Sequence, residues 1–322
     1  MTAAGAGPAL VFPGQAAARA GMVLPWLDDA AAREVFDEAS DLVGRDVADW
    51  WLDPAPGADP VRAHLAVVVT GVAAARSLAA RGLVPAAVAG YGVGAYTALV
   101  AAGALRLAEV LPAVHWRAEL VALTPRPSCA ARAAVVGPGA TDVAAAAVAA
   151  AGPGGRLVVS AIDGPERVVL AGFREELDGA CAQARDAGLE WVPVPMTGVA
   201  HSPLVTVAAA RLDPVLAGLT WSVPAVPVVP DTDPVPTRDT TRLATALRGH
   251  LVAPVRWSEV VEVLAGTADS LVEVGSVATL GPLARQVRPD LPVHLATGPD
   301  TPLPLPGPAF ALAGPTPARG ER

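Results

Sequence analysis

Val88-Ala89-Gly90-Tyr91-Gly92-Val93-Gly94-Ala95-Tyr96-Thr97-Ala98-Leu99-Val100 reads as an apolar strand, a glycine-rich turn and the start of an Ala/Leu-rich helix. That order is the layout of a nucleophile elbow. In the G-x-S-x-G pattern a serine sits at the sharp point of the turn, its hydroxyl exposed at the top of a sheet. Here the frame is Gly90-x-Gly92-x-Gly94, so the turn is kept and the attacking oxygen is not. The elbow also settles how the uncharged stretch 82–105 is read. It is long enough to span a bilayer, but Pro85 and the glycines break it, and strand-turn-helix is the better assignment.

Working outward, residues 9–12 form a short strand ending in Pro13-Gly14, and 30–42 are helical in pattern. Residues 50–60 are a loop with Pro54, Pro56, Gly57 and Pro60 as breakers. Residues 64–81 are a long buried helix, 84–89 a strand, 95–104 the elbow helix and 107–123 a further helix. From 130 to 195 the rhythm changes. Strand 132–136, helix 141–151, strands 157–161 and 167–171 around an Asp163-Gly164-Pro165 turn, helix 173–187 and strand 190–194 follow one another. That is β-α-β-β-α-β, the order of a ferredoxin-like split unit. It reads as a small domain, 129–196, inserted into a larger, discontinuous α/β domain formed by 1–128 and 197–297. After it come a helix from 203 to 216, a short strand within 223–236, helices 240–251 and 257–265, strand 270–274 and a turn at Gly275. From Gly298 to 322 the chain is mostly Pro, Gly, Ala and Thr and is expected to be disordered.

Composition excludes several function classes. The 322 residues are enough for one large domain or two modest ones with real cores. All 23 basic residues are Arg, which alongside 31 Gly and 33 Pro points to codon bias in a GC-rich genome rather than to phosphate recognition. A net charge of -8 argues against nucleic-acid binding. Cys129 and Cys181 lie far apart, outside any CxxC pattern, so no disulfide framework or metal site is implied, and both are expected to be packing thiols. No signal-peptide pattern opens the chain, and neither a membrane partner nor a cofactor is implied; the expected compartment is the cytoplasm.

Several separated motifs agree with the elbow. Val11-Phe12-Pro13-Gly14-Gln15, Arg117, Asp163-Gly164-Pro165 before Val168-Val169-Leu170-Ala171-Gly172, Ala200-His201-Ser202-Pro203-Leu204 and Glu273-Val274-Gly275 follow in order. Together they resemble the malonyl-CoA:acyl carrier protein transacylase family, including polyketide synthase acyltransferase domains, over roughly residues 8–296. The resemblance implies an α/β-hydrolase-like parallel-sheet core with an inserted ferredoxin-like subdomain. It implies ping-pong acyl transfer from malonyl-CoA to an acyl carrier protein or polyketide synthase component. It places the nucleophile at Gly92 and the general base at His201. The oxyanion hole falls on the backbone N–H groups of Gln15 and Val93, and the carboxylate-binding arginine at Arg117. A main-chain carbonyl near His250 would orient the histidine.

The departures matter as much. The family's G-H-S-x-G has become Gly90-Tyr91-Gly92-Val93-Gly94, and the acidic residue that usually follows is Ala95. The residue before the histidine, which helps choose the acyl group, is Ala200; it leaves room unless Tyr91 fills it. Bland alternatives stand beside these assignments. Gly92 could be a relaxed turn, His201 a packing relic and Arg117 a helix-surface residue paired with a Glu. Ser202, read as a helix cap, Thr97 and Tyr91 are the nearest hydroxyls, and none replaces serine convincingly; His64, His115, His250 and His294 read as structural or surface residues. The expectation is therefore an acyltransferase-fold protein without ping-pong turnover. The alternatives are a thioester hydrolase using His201-activated water, or a transacylase with an unrecognised nucleophile.

Overall fold

A computed structural model describes residues 7–52, 59–123, 129–194 and 198–303. Two sheets organise them. The first is parallel, in the order β7-β2-β1-β8-β9, with β1 Pro8–Phe12, β2 Ala87–Gly90, β7 Val228–Val229, β8 Ser270–Val274 and β9 Val293–Ala296. A parallel sheet is covered on both faces, so its strands read as continuous apolar runs. Alternation sorts their side chains. Leu10 and Phe12 face a core built with α1 (Ala30–Val43), α3 (Pro60–Ala80), α4 (Gly94–Ala101) and α5 (Leu107–Leu123). Ala9 and Val11 face the opposite core, built with α10 (Trp257–Ala265) and α11 (Leu280–Val287). The short α2 (Val47–Trp50), α8 (Thr206–Ala217) and α9 (Thr240–Gly249) complete the first layer.

The second sheet is antiparallel, in the order β4-β5-β3-β6. Its elements are β3 Ala130–Val136, α6 Ala140–Ala151, β4 Leu157–Gly164, β5 Arg167–Phe173, α7 Arg174–Asp186 and β6 Glu190–Pro193, the expected split β-α-β-β-α-β order. Val135, Val168 and Leu170 pack under α6 and α7, while Ala134, Ala161 and Val169 join the core shared with α10. Two backbone bonds tie β4 to the segment leading into α10: Ile162 N–H to Val255 O at 2.8 Å, and Val255 N–H to Ser160 O at 3.0 Å.

Some expectations are corrected. Pro60, read as a loop breaker, is the first residue of α3; proline lacks the N–H that a first turn leaves unpaired anyway, and the Asp59 side chain caps the Arg62 N–H. The rest of that expected loop, 53–58, lies outside the described residues. Asp163 is not a turn residue: β4 runs through Gly164. The core does not finish at Gly275, since α11 and β9 follow. Nor does order end at Gly298. The Thr301 hydroxyl accepts from the Thr297 and Gly298 N–H groups; residues 304–322 lie outside the described residues. Cys181 is buried as expected, but Cys129 is exposed. The longest apolar helix, α3, is a core helix, mostly buried inside the molecule.

Candidate functional site

The elbow forms where β2 turns into α4, and its three glycines are required for different reasons. A Cβ on Gly90 would lie 2.0 Å from the Gly94 carbonyl oxygen, and one on Gly94 would lie 2.2 Å from that of Phe12. No side chain fits there. Gly92 has φ +56°, the left-handed region, yet a Cβ there meets only His201 Nε2, at an ordinary 3.5 Å. The middle glycine is thus set by handedness alone, and the direction of its missing side chain points at the histidine.

All seven expected site residues, Gln15, Tyr91, Gly92, Val93, Arg117, Ala200 and His201, line one cleft of about 520 Å³ between the two sheets. The backbone N–H groups of Gln15 and Val93 have no acceptor among the described residues. The Gln15 side chain is held by His64, whose Nε2 hydrogen-bonds Oε1. Arg117 reaches the cleft from α5; it is buried rather than on a helix surface, and its Nε has no partner among the described residues. Burial lowers its pKa.

His201 is buried and has φ +63°. Its backbone N–H donates to Leu251 O at 2.7 Å, and Nδ1 lies 3.3 Å from Ala253 O. The orienting carbonyl therefore belongs to the segment just past His250. An Nδ1–H donated to that carbonyl leaves the Nε2 lone pair facing Gly92, the tautomer a base requires. Burial first, then His250, Arg132 and Arg117, holds the imidazole well below its ordinary pKa.

The nearby hydroxyls are all engaged or turned away. Ser202 precedes a 3₁₀ turn, Pro203–Val205, but its hydroxyl donates to Val199 O at 2.6 Å instead of capping that turn. Thr97 is buried outside the cleft lining. Tyr91 donates to Asp163 Oδ1 at 2.8 Å and sets its ring edge against Trp257, and burial, reinforced by Asp163, pushes its phenol well above the ordinary value. Thr279, also on the lining, donates to Glu273 Oε1 at 2.8 Å.

Sequence reasoning missed four groups. His250, expected to be structural or surface, is buried, and its ring meets His201 edge-on at 4.7 Å. Asp231 is buried behind the elbow, accepting from the Gly92 N–H at 2.8 Å and from His250 Nε2 at 3.0 Å. Asp163 pairs with Arg167 at 3.1 Å on the far wall. Arg132, on β3, is buried and lines the cleft. The last had a signal: it is a cation at alternate spacing with Ala134 and Val136 in an otherwise apolar strand, so it shares the face turned towards the first sheet.

An acyl transferase domain model matches residues 9–285. The chain is 31% identical over 289 residues to a malonyl CoA-acyl carrier protein transacylase of Salmonella typhimurium, covering 87% of this chain and 92% of that protein. It is 32% identical over 293 residues to the transacylase of the same name from Escherichia coli K12, with the same coverage. Among solved structures it is similar to an acyl carrier protein S-malonyltransferase from Vibrio cholerae, with TM-score 0.85, 29% identity, and 90% and 96% of the two chains covered. It is equally similar in fold, TM-score 0.85 at 26% identity, to a malonyl-transacylase solved in complex with a type II polyketide synthase acyl-carrier protein, covering 91% and 96% of the two chains.

Proposed function

This chain belongs to the acyl transferase domain family, and from that premise we propose that it is a malonyltransferase-type protein of fatty-acid or polyketide synthesis that holds malonyl thioester without forming an acyl-enzyme. The observation that carries this is the bare apex. Gly92 offers no heteroatom at the point 3.5 Å from His201 Nε2. The Tyr91 and Thr279 hydroxyls on the lining are donated to carboxylates, which leaves neither positioned as a substitute.

The binding apparatus is intact by the same reading. The Gln15 and Val93 N–H groups would receive the thioester oxygen, as paired backbone donors do in acyl-transfer sites. Arg117 would take the free carboxylate through charge-assisted hydrogen bonds. Ala200 leaves room beside the acyl group, because Tyr91 is drawn to Asp163 and Trp257. An acyl carrier protein or synthase component is the proposed partner, with malonyl-CoA as the free thioester. The division into a discontinuous part, 1–128 and 197–297, and an inserted part, 129–196, belongs to the same proposal.

A second reading rests on His201. A neutral imidazole whose Nε2 faces the cleft is equipped to draw a proton from water, which would make the protein a slow thioester hydrolase. Calorimetric titration with malonyl-CoA and acetyl-CoA, followed by assay for free malonate, tests both. Tighter binding of malonyl-CoA, lost in Arg117→Ala and unaccompanied by malonate release, is the expected result. Release without a protein adduct would favour the hydrolase. Equal affinities, unchanged by Arg117→Ala, would remove the malonyl assignment.

A further inference from the structure

One buried carboxylate reaches both the apex of the elbow and the surroundings of His201 from behind. Asp231 lies two residues past β7, is 1% exposed and does not line the cleft. Its Oδ2 accepts from the Gly92 N–H at 2.8 Å, and its Oδ1 accepts from His250 Nε2 at 3.0 Å. A carboxylate only accepts, so the His250 proton at this contact sits on Nε2. With Gly90, Ala95 and Leu247 the pair borders a separate cavity of about 20 Å³ behind the elbow, so neither residue touches what the cleft would hold.

Each end of that link supports a part with a weak hold of its own. Glycine has the widest backbone freedom of any residue. The Gly92 carbonyl accepts from the Ala95 N–H at 3.0 Å, and the Asp231 bond holds the Gly92 N–H. Gly92 is thereby pinned on both sides at φ +56°, and the next N–H along the chain belongs to Val93. The His201 ring is held through Nδ1 by a contact of 3.3 Å to Ala253 O, longer than the common range for N–H···O bonds. The His250 ring meets it edge-on at 4.7 Å, with the planes 86° apart, and is a second support. His250 Nδ1 is buried with no partner among the described residues, which leaves the Nε2 bond to Asp231 as that ring's polar anchor.

From this geometry we infer that Asp231 is a positioning residue: through the Gly92 N–H on one oxygen and His250 on the other, it holds the elbow apex and the His201 ring in register. What the register serves, a thioester carbonyl presented to the Val93 N–H with His201 Nε2 beside it, rests on the thioester-binding reading of the cleft. The consequence is a split between binding and reaction. Affinity for malonyl-CoA is set by the groups that line the cleft and survives the loss of Asp231. The rate of attack from a nucleophile placed at residue 92 depends on the register and does not survive it.

The test measures the two separately. Malonyl-CoA affinity is read by calorimetry on wild type, Asp231→Ala and Asp231→Asn, all of which keep the bare apex. Adduct formation at saturating malonyl-CoA is timed by mass spectrometry on Gly92→Ser alone and combined with each Asp231 change. Asp231→Ala is expected to leave affinity within about threefold and to slow adduct formation by about tenfold to a hundredfold. Asp231→Asn keeps an oxygen for the Gly92 N–H but turns an amide donor towards the His250 Nε2–H, so its rate should fall between. A merely structural aspartate would lower binding capacity and rate together and leave the rate per bound molecule unchanged; that result overturns the inference. Should Asp231→Ala fail to fold, Asp231→Asn decides by the same criterion. Gly92→Ser that binds malonyl-CoA and gains no adduct overturns the positioning and spares the thioester-binding reading. Protein that binds no malonyl-CoA removes both.

Discussion

At the scale of single residues, the three elbow glycines make different demands, and that difference is measurable. Gly92→Ser places a Cβ in ordinary contact with His201 Nε2, 3.5 Å away, at left-handed φ, a strain of about 1–3 kcal/mol. Gly90→Ala drives a Cβ into the Gly94 backbone. Urea melts should show Gly92→Ser folded with a modestly lower midpoint and Gly90→Ala without a cooperative transition. Similar stability for both would mean that the turn is not built as described. The site was legible in sequence wherever residues were tied to this turn or to a contiguous block. Gln15, Val93, Arg117, Ala200 and His201 all reach the cleft around Gly92. Asp231 and His250 were not assigned, because no local pattern announces them; Arg132 was passed over although its alternate spacing with Ala134 and Val136 marks the face it shares. Their meeting depends on how β7, the segment after α9 and the second sheet pack around the elbow.

At the scale of elements, β8 and α11 are joined by one buried carboxylate. Glu273 accepts from the N–H groups of Thr279 at 2.7 Å, Leu280 at 2.9 Å and Gly281 at 2.7 Å, and from the Thr279 hydroxyl. A carboxylate at a helix N-terminus satisfies donors that the helix cannot. Glu273→Ala leaves those donors buried and should cost about 3 kcal/mol or more. Glu262→Ala removes an exposed partner of Arg288 and should cost less than about 1 kcal/mol. Equal costs in chemical denaturation would show that Glu273 does not fasten the helix. The same region shows the limit of pattern reading. Leu107–Leu123, Trp257–Ala265 and Ser270–Val274 were legible to the residue, since each is a clean apolar run between breakers. α11 contains Gly281 and Pro282 and is only eight residues long, and the sequence reading, which ended at Gly275, assigned no helix there; Glu273, seven residues before its first residue Leu280, caps that turn and supplies what propensity lacks.

For the whole molecule, the buried histidines set a pH dependence. Burial holds both His64 and His201 well below the ordinary imidazole value, with Arg117 adding to the effect on each. The unfolded chain, with histidines titrating near pH 6.5, then binds more protons than the folded one as pH falls. Their contribution is present in full above about pH 6.5 and is lost as pH drops towards the folded values. The urea midpoint should therefore decline between about pH 7.5 and pH 5.5, and His201→Asn should flatten that slope. A slope unchanged by the substitution would contradict the buried neutral state of His201. That neutral imidazole, the Gln15 and Val93 N–H groups and Arg117 line one cleft with Gly92, which in the proposed function stands where a nucleophile would attack. Denaturing mass spectrometry of wild type and Gly92→Ser, each exposed to malonyl-CoA and quenched in acid, tests that conclusion most directly. The expected result is no adduct on wild type and a single malonyl adduct on Gly92→Ser, mapped to residue 92. A malonyl adduct on wild type that survives denaturation would contradict it, and peptide mapping would name the nucleophile.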